Sequence, residues 1–258
     1  MVYPVRKNRL HSHVRRLPPA TPQPWFTRVA PSHLIGSLTL PLPESKNLPV
    51  VDEANAPEEV AQLYAKFRST FGRPTVPGIL KCFATHPPLL EHMMGLAESM
   101  LFTDGALGRA NKELIATFVS SQNHCDYCAD SHGSSLLTNG GTSEQLAAAT
   151  TCDLHSASLT TAQRALLLFA QKITQDSSAV SPEDVEHLRG SGWTDLQIAE
   201  AIHVTSLFAC FNRVVNAFGL PSQGLLAASG EPAAGSRPDL QIPTASSPTL
   251  ILHRGGRR

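Results

Sequence analysis

Two cysteines, a histidine and a glutamate stand at a spacing that suits thiol chemistry. Glu113 is followed by eleven residues, then Cys125-Asp126-Tyr127-Cys128, then three residues, then His132. Two cysteines three apart at a helix start can close a disulfide with little backbone movement, and the helix terminus favours thiolate over thiol. One sulfur can then attack and the other resolve. His132 follows Cys128 at i+4, so the two share a helix face. Glu113, from the preceding helix, completes a set that could move a proton.

A magnitude limits this scheme. A thiol with a pKa of about 8.5 is only a few per cent ionised at neutral pH, and lowering it by about 2 units costs about 2.7 kcal/mol. A helix terminus supplies about 0.3–1 kcal/mol. Asp126 and Asp130 carry like charge nearby and oppose a thiolate. The site therefore needs a protonated His132, or a base such as a buried Glu113 that takes the proton during attack. On residue types alone a zinc clip stays open, with Cys125, Cys128 and His132 joined by His124 or Glu113. No second CxxC or HxxxH accompanies them.

The elements that must hold these residues read as helices. Leu114, Ile115, Phe118 and Val119 recur at helical spacing after Glu113, and Gln122-Asn123-His124 breaks the period, which predicts a turn. A second helix should open at Cys125 and stop at Asn139-Gly140-Gly141. Pro57 with Glu58 and Glu59 opens an earlier helix that ends at Gly72. Short helices are expected from Ile79 to Ala84 and from Leu89 to Leu101. Thr142 with Gln145, Thr160 with Gln163, and Thr194 with Gln197 have capping-box spacing, and Ser181-Pro182-Glu183-Asp184 caps another helix. The last long helix should reach about Phe218. No segment reads as a strand. The fold class is all-α, with antiparallel helix pairs and a possible echo between 107–139 and 162–218.

The pattern Glu-x11-Cys-x2-Cys-x3-His resembles the AhpD-type alkylhydroperoxidases of the carboxymuconolactone decarboxylase-like superfamily. Leu48 to about Gly224 further resembles its peroxidase-related branch, through HPPLLEHM, LTTAQRALLLFAQKIT, VSPEDVEHLRGSGWTD and FNRVVNAFGL. The resemblance implies an AhpD-like helical bundle and a thiol-dependent peroxidase. By position it makes Cys128 peroxidatic, Cys125 resolving, and Glu113 with His132 the proton relay. It implies a peroxide substrate, a lipoyl-type or thioredoxin-like dithiol reductant, a homo-oligomer, and no haem, flavin or metal cofactor. Tyr127 departs from relatives that carry histidine before the second cysteine. Decarboxylases of the superfamily lack the cysteine pair, which disfavours lactone decarboxylation here. The alternatives are a thiol–disulfide oxidoreductase, or a redox-switch or zinc-clip module without peroxidase turnover.

The totals bound the rest. The 258 residues are 41% hydrophobic and formally neutral, but the charge is uneven. Residues 1–45 carry six basic side chains against one acid, and 46–228 a net −7. An acidic core argues against nucleic acid as a partner. Five cysteines, an odd number, suit a reducing compartment, so the expected location is cytoplasmic. No apolar run approaches a membrane span, so no membrane partner is expected. The expected organisation is a disordered basic Pro-rich extension at 1–45, a helical domain at 46–225 and a disordered tail at 226–258. His203 reads as a core histidine, Cys82, Cys152 and Cys210 as inert, Tyr127 as packing, and Asn212-Arg213 as a polar interruption of an apolar helix.

Overall fold

A computed structural model describes residues 45–230 of the chain. The extension expected at 1–45, save its last residue, and the tail beyond Gly230 lie outside the described residues. Ten α-helices and no strand occur among the described residues. In chain order they are α1 Glu58–Phe71, α2 Gly78–Phe83, α3 Pro87–Ala97, α4 Arg109–Gln122, α5 Asp126–Thr138, α6 Ser143–Thr151, α7 Thr161–Asp176, α8 Pro182–Gly190, α9 Asp195–Phe218 and α10 Leu225–Ala228.

Local chemistry sets most of the boundaries. Thr142, Thr160 and Thr194 each accept a hydrogen bond from the backbone N–H three residues on, and the glutamine there reaches back, closing three capping boxes. Ser181 and Asp184 close a fourth at α8. Gly72, with φ +62°, ends α1 in the left-handed conformation. After α3 the chain widens into a π-helical turn, Glu98–Phe102, which places Phe102 against Phe71 with ring centroids 5.3 Å apart.

Helix α4 is central. Every side chain from Lys112 to Ser120 is buried, and the helix packs on α5, α6, α7 and α9. Its start differs from the sequence expectation. It begins one turn before Glu113, at Arg109, because Gly108 (φ +76°) supplies the turn. The stretches 107–139 and 162–218 share one continuous apolar core, which also takes in α1, α2 and α3. By length and composition α9 could cross a membrane, but half of its apolar window is buried in the protein.

Two expectations need correction. His203 is exposed on α9 and lines a cavity of about 280 Å³ with Asp104, Lys112 and Glu200. Val204 beside it is fully buried, whereas Ile202 is exposed with it. The ordered chain also continues past 225. Asp130, 1% exposed, accepts hydrogen bonds from the N–H groups of Leu225 (3.0 Å) and Leu226 (2.9 Å). That cap starts α10, and Leu226 is fully buried beside Gly133.

Candidate active site

The turn between α4 and α5 sets the position of the sulfurs. His124 adopts φ +53°. Its N–H bonds to the carbonyl of Ser121 (3.2 Å), and the N–H of Cys125 bonds to that of Ser120 (2.9 Å). This is a Schellman closure with histidine where glycine is usual. Cys125 thus completes the end of α4 and is also the N-cap of α5. Cys128 lies in the first turn of α5, and the two sulfurs are 2.8 Å apart. Cys125 is 0% and Cys128 4% exposed. Tyr127, Val215, Ile79 and Leu220 pack around them.

Glu113 faces the same space from α4. It is fully buried. Its Oε2 lies 2.7 Å from His132 Nδ1, and its Oε1 accepts from Arg109 Nε at 2.6 Å. Burial alone would push the carboxyl up. The His132 imidazole and then the Arg109 guanidinium outweigh that and hold it below the ordinary value. An ionised carboxylate so placed fixes the orientation of the His132 ring. The His132 ring meets Phe208 edge-on, with centroids 4.6 Å apart. Arg109 is steadied in turn by stacking 4.7 Å over Phe102.

The two thiols divide one charge between them. The Cys125 thiol is held below its ordinary value, chiefly by the hydrogen bond from Cys128, against burial, and further by the Cys128 backbone N–H and the Asn212 amide. The Cys128 thiol is pushed up by burial first, then by its contact with Cys125. Of the two, Cys125 at the helix N-terminus is the readier to ionise and Cys128 the readier to keep its proton. Asp126 opposes this only weakly. The Asp130 carboxylate is turned to the N–H groups that open α10.

The structure pairs Cys125 with Cys128 and Glu113 with His132, and Cys128 and His132 stand one turn apart on α5. Three contributors were not picked out as site residues in the sequence. Arg109 was readable as an i, i+4 partner of Glu113. Asn212 was visible only as a polar break in α9. Its amide is fully buried and bonds to Ser120 and Asn123. Gly78 gave no signal. A Cβ there would meet Leu220 Cδ1 at 3.0 Å and Tyr127 Oη at 3.2 Å, so glycine lets Tyr127 close over the site. Tyr127 does pack as expected, accepting the Ile79 N–H at 3.4 Å. Burial pushes the Cys82 thiol up to about 12, whereas Cys210 is exposed. No group of three or more His, Cys, Asp or Glu side chains among the described residues is arranged to hold a metal ion.

The carboxymuconolactone decarboxylase family model matches residues 87–172, a span that contains all four residues. Among solved structures, an uncharacterized peroxidase-related protein from Silicibacter sp. TM1040 is 28% identical with a TM-score of 0.59, over 72% of this chain and 95% of that one. An uncharacterized peroxidase-related protein with an alkylhydroperoxidase AhpD core, from Ralstonia eutropha JMP134, is 26% identical with a TM-score of 0.63, over 72% and 97%. The debrominase Bmp8, solved with 2,3,4-tribromopyrrole, shares the fold at 18% identity and a TM-score of 0.59, over 72% and 97%. No protein of curated function matches the sequence significantly.

Proposed function

The chain belongs to the AhpD-like, carboxymuconolactone decarboxylase-like superfamily, and from that premise we propose that it is a thiol-dependent peroxidase. The observation that carries this reading is the pair of reduced, buried sulfurs 2.8 Å apart, with an imidazole one turn further along α5 whose Nδ1 is bound to a buried carboxylate. With Nδ1–H donated to Glu113, Nε2 of His132 is the acceptor nitrogen. It lies one helical turn from Cys128, the sulfur that keeps some exposure.

The steps balance as follows. His132 takes the Cys128 proton as Cys128 Sγ attacks the terminal peroxide oxygen. The O–O bond breaks, the sulfur is oxidised to a sulfenic acid, and the leaving alkoxide takes that proton to become an alcohol. Cys125 Sγ, as a thiolate, then attacks Cys128 Sγ. An S–S bond forms, and hydroxide leaves and is protonated to water. A dithiol of lipoyl or thioredoxin-like type reduces the disulfide and becomes oxidised itself. The proposal extends to a homo-oligomeric, cytoplasmic enzyme that works without metal or prosthetic group.

The test is peroxide consumption by wild type, Cys125→Ser and Cys128→Ser, with dihydrolipoamide as donor. Wild type should turn over and Cys128→Ser should not. Cys125→Ser should accumulate a sulfenic acid that dimedone traps on Cys128. Full turnover by Cys128→Ser would overturn the mechanism. Disulfide exchange without peroxide consumption would instead make the protein a thiol–disulfide oxidoreductase.

A further inference from the structure

Gly78 is the first residue of α2, directly after its N-cap Pro77, and its φ is not in the left-handed range. Nothing in that backbone asks for glycine, which stabilises a helix less than alanine does. The reason lies in the space around it. A Cβ there would meet Leu220 Cδ1 at 3.0 Å, Tyr127 Oη at 3.2 Å and Tyr127 Cε2 at 3.4 Å. The end of the tyrosine ring is therefore seated on bare backbone, where its hydroxyl accepts the Ile79 N–H at 3.4 Å.

Exposure falls in steps behind that seat. Gly78, Ile79 and Leu220 are half-buried, Tyr127 is 6% exposed, and Cys128 and Cys125 are 4% and 0% exposed. Tyr127, the two cysteines and Val215 form one buried cluster, with Ile79 and Leu220 packed against it. A reactant in solution must displace part of this cover before it meets a sulfur. The cover is apolar or aromatic throughout, and the tyrosine is its largest member. We propose that Tyr127, seated on Gly78, is a specificity-determining residue, whose ring closes the way to the sulfurs against bulky reactants and admits slender apolar ones. The hydrogen bond to Ile79 is long, so the bulk of the ring does the selecting rather than its hydroxyl. This rests on the reading of Cys125 and Cys128 as a reactive dithiol, but it does not depend on peroxide being the oxidant.

The test uses the full chain in its reduced form and two maleimides of like chemistry and unlike bulk, N-methyl and N-(1-pyrenyl). Label is located by fragment-ion mass spectrometry, so that Cys125 and Cys128 are counted apart from the other three cysteines. Wild type should take the small reagent faster by about tenfold or more, relative to the same two reagents acting on free cysteine. Tyr127→Ala should bring that ratio to within about threefold, mainly by speeding the bulky reagent. Tyr127→Phe keeps the ring and should keep the ratio. Gly78→Ala takes away the seat. It should lower the ratio in the same sense by less, and it decides the matter if Tyr127→Ala does not fold. An unchanged ratio in a folded Tyr127→Ala, or both rates rising by one factor, would overturn the gate and reduce the tyrosine to packing. Size selection that Tyr127→Ala abolishes, in a protein whose wild type consumes no peroxide, would sink the peroxidase reading and leave the gate standing.

Discussion

Replacing Glu113 by glutamine keeps the shape of a buried side chain and removes its charge. Breaking a buried ion pair by deleting one partner costs about 3–5 kcal/mol. Here the orphaned partners keep some contact with water, Arg109 at 21% and His132 at 17% side-chain exposure, and the amide oxygen still accepts one hydrogen bond. That places the expected loss nearer ~2–3 kcal/mol. The pH dependence separates charge from shape. The Glu113 carboxyl is held below its ordinary value in the folded state. Its contribution is therefore complete above the unfolded value of about 4.3 and is lost as pH falls through the folded value. Urea denaturation of the reduced protein should show Glu113→Gln weaker than wild type at pH 7. The gap should narrow progressively below about pH 4.3. Peroxide turnover should fall with it by roughly 10²-fold or more, since His132 loses the anion that orients it. A gap that does not change between neutral and acid pH, or a variant as stable as wild type at neutral pH, would refute the electrostatic account.

Other changes test the frame around the site. A Cβ at Gly105 would lie 2.5 Å from the Glu200 carboxylate, which accepts from the N–H groups of Ala106 and Leu107. Gly105→Ala should cost about 1–3 kcal/mol by thermal or urea melting, from displaced hydrogen bonds. Asp130→Ala should uncap α10 and open residues 219–230 to limited proteolysis, with a loss of about 1–2 kcal/mol and no change in thiol reactivity. His124→Val puts a β-branched residue at φ +53° and should cost about 1–3 kcal/mol, whereas His124→Gly should be tolerated. Iodoacetamide at mildly alkaline pH should label Cys210, which is exposed, and spare Cys82, whose thiol is pushed up to about 12.

The sequence made the local chemistry legible. Three Thr/Gln boxes and the proline and glycine stops appeared where they were expected, because each is a short-range contest among neighbouring backbone groups. The four-residue site pattern was equally visible, since α4 and α5 are adjacent in the chain. What stayed hidden depended on distance or direction. Asn212 reaches residues some ninety positions away. His203, flanked by Ile202 and Val204, points outward because a helix turns about a hundred degrees per residue, so apolar neighbours do not set its direction. Asp130 looked like a charge beside a thiol until the carboxylate found two N–H groups of α10. The left-handed turn at His124 has no unique letter, since only glycine announces that conformation.

Phe208 against the imidazole, Asn212 against Ser120 of α4 and Val215 packed with the two cysteines are successive rungs of one rod. A slip of that rod by a single residue, about 1.5 Å along its axis, would misplace all three together. The centre is therefore calibrated by one register rather than by three independent placements. Damage at distant points along α9 should surface as the same catalytic defect, and combined lesions there should add up to less than their sum.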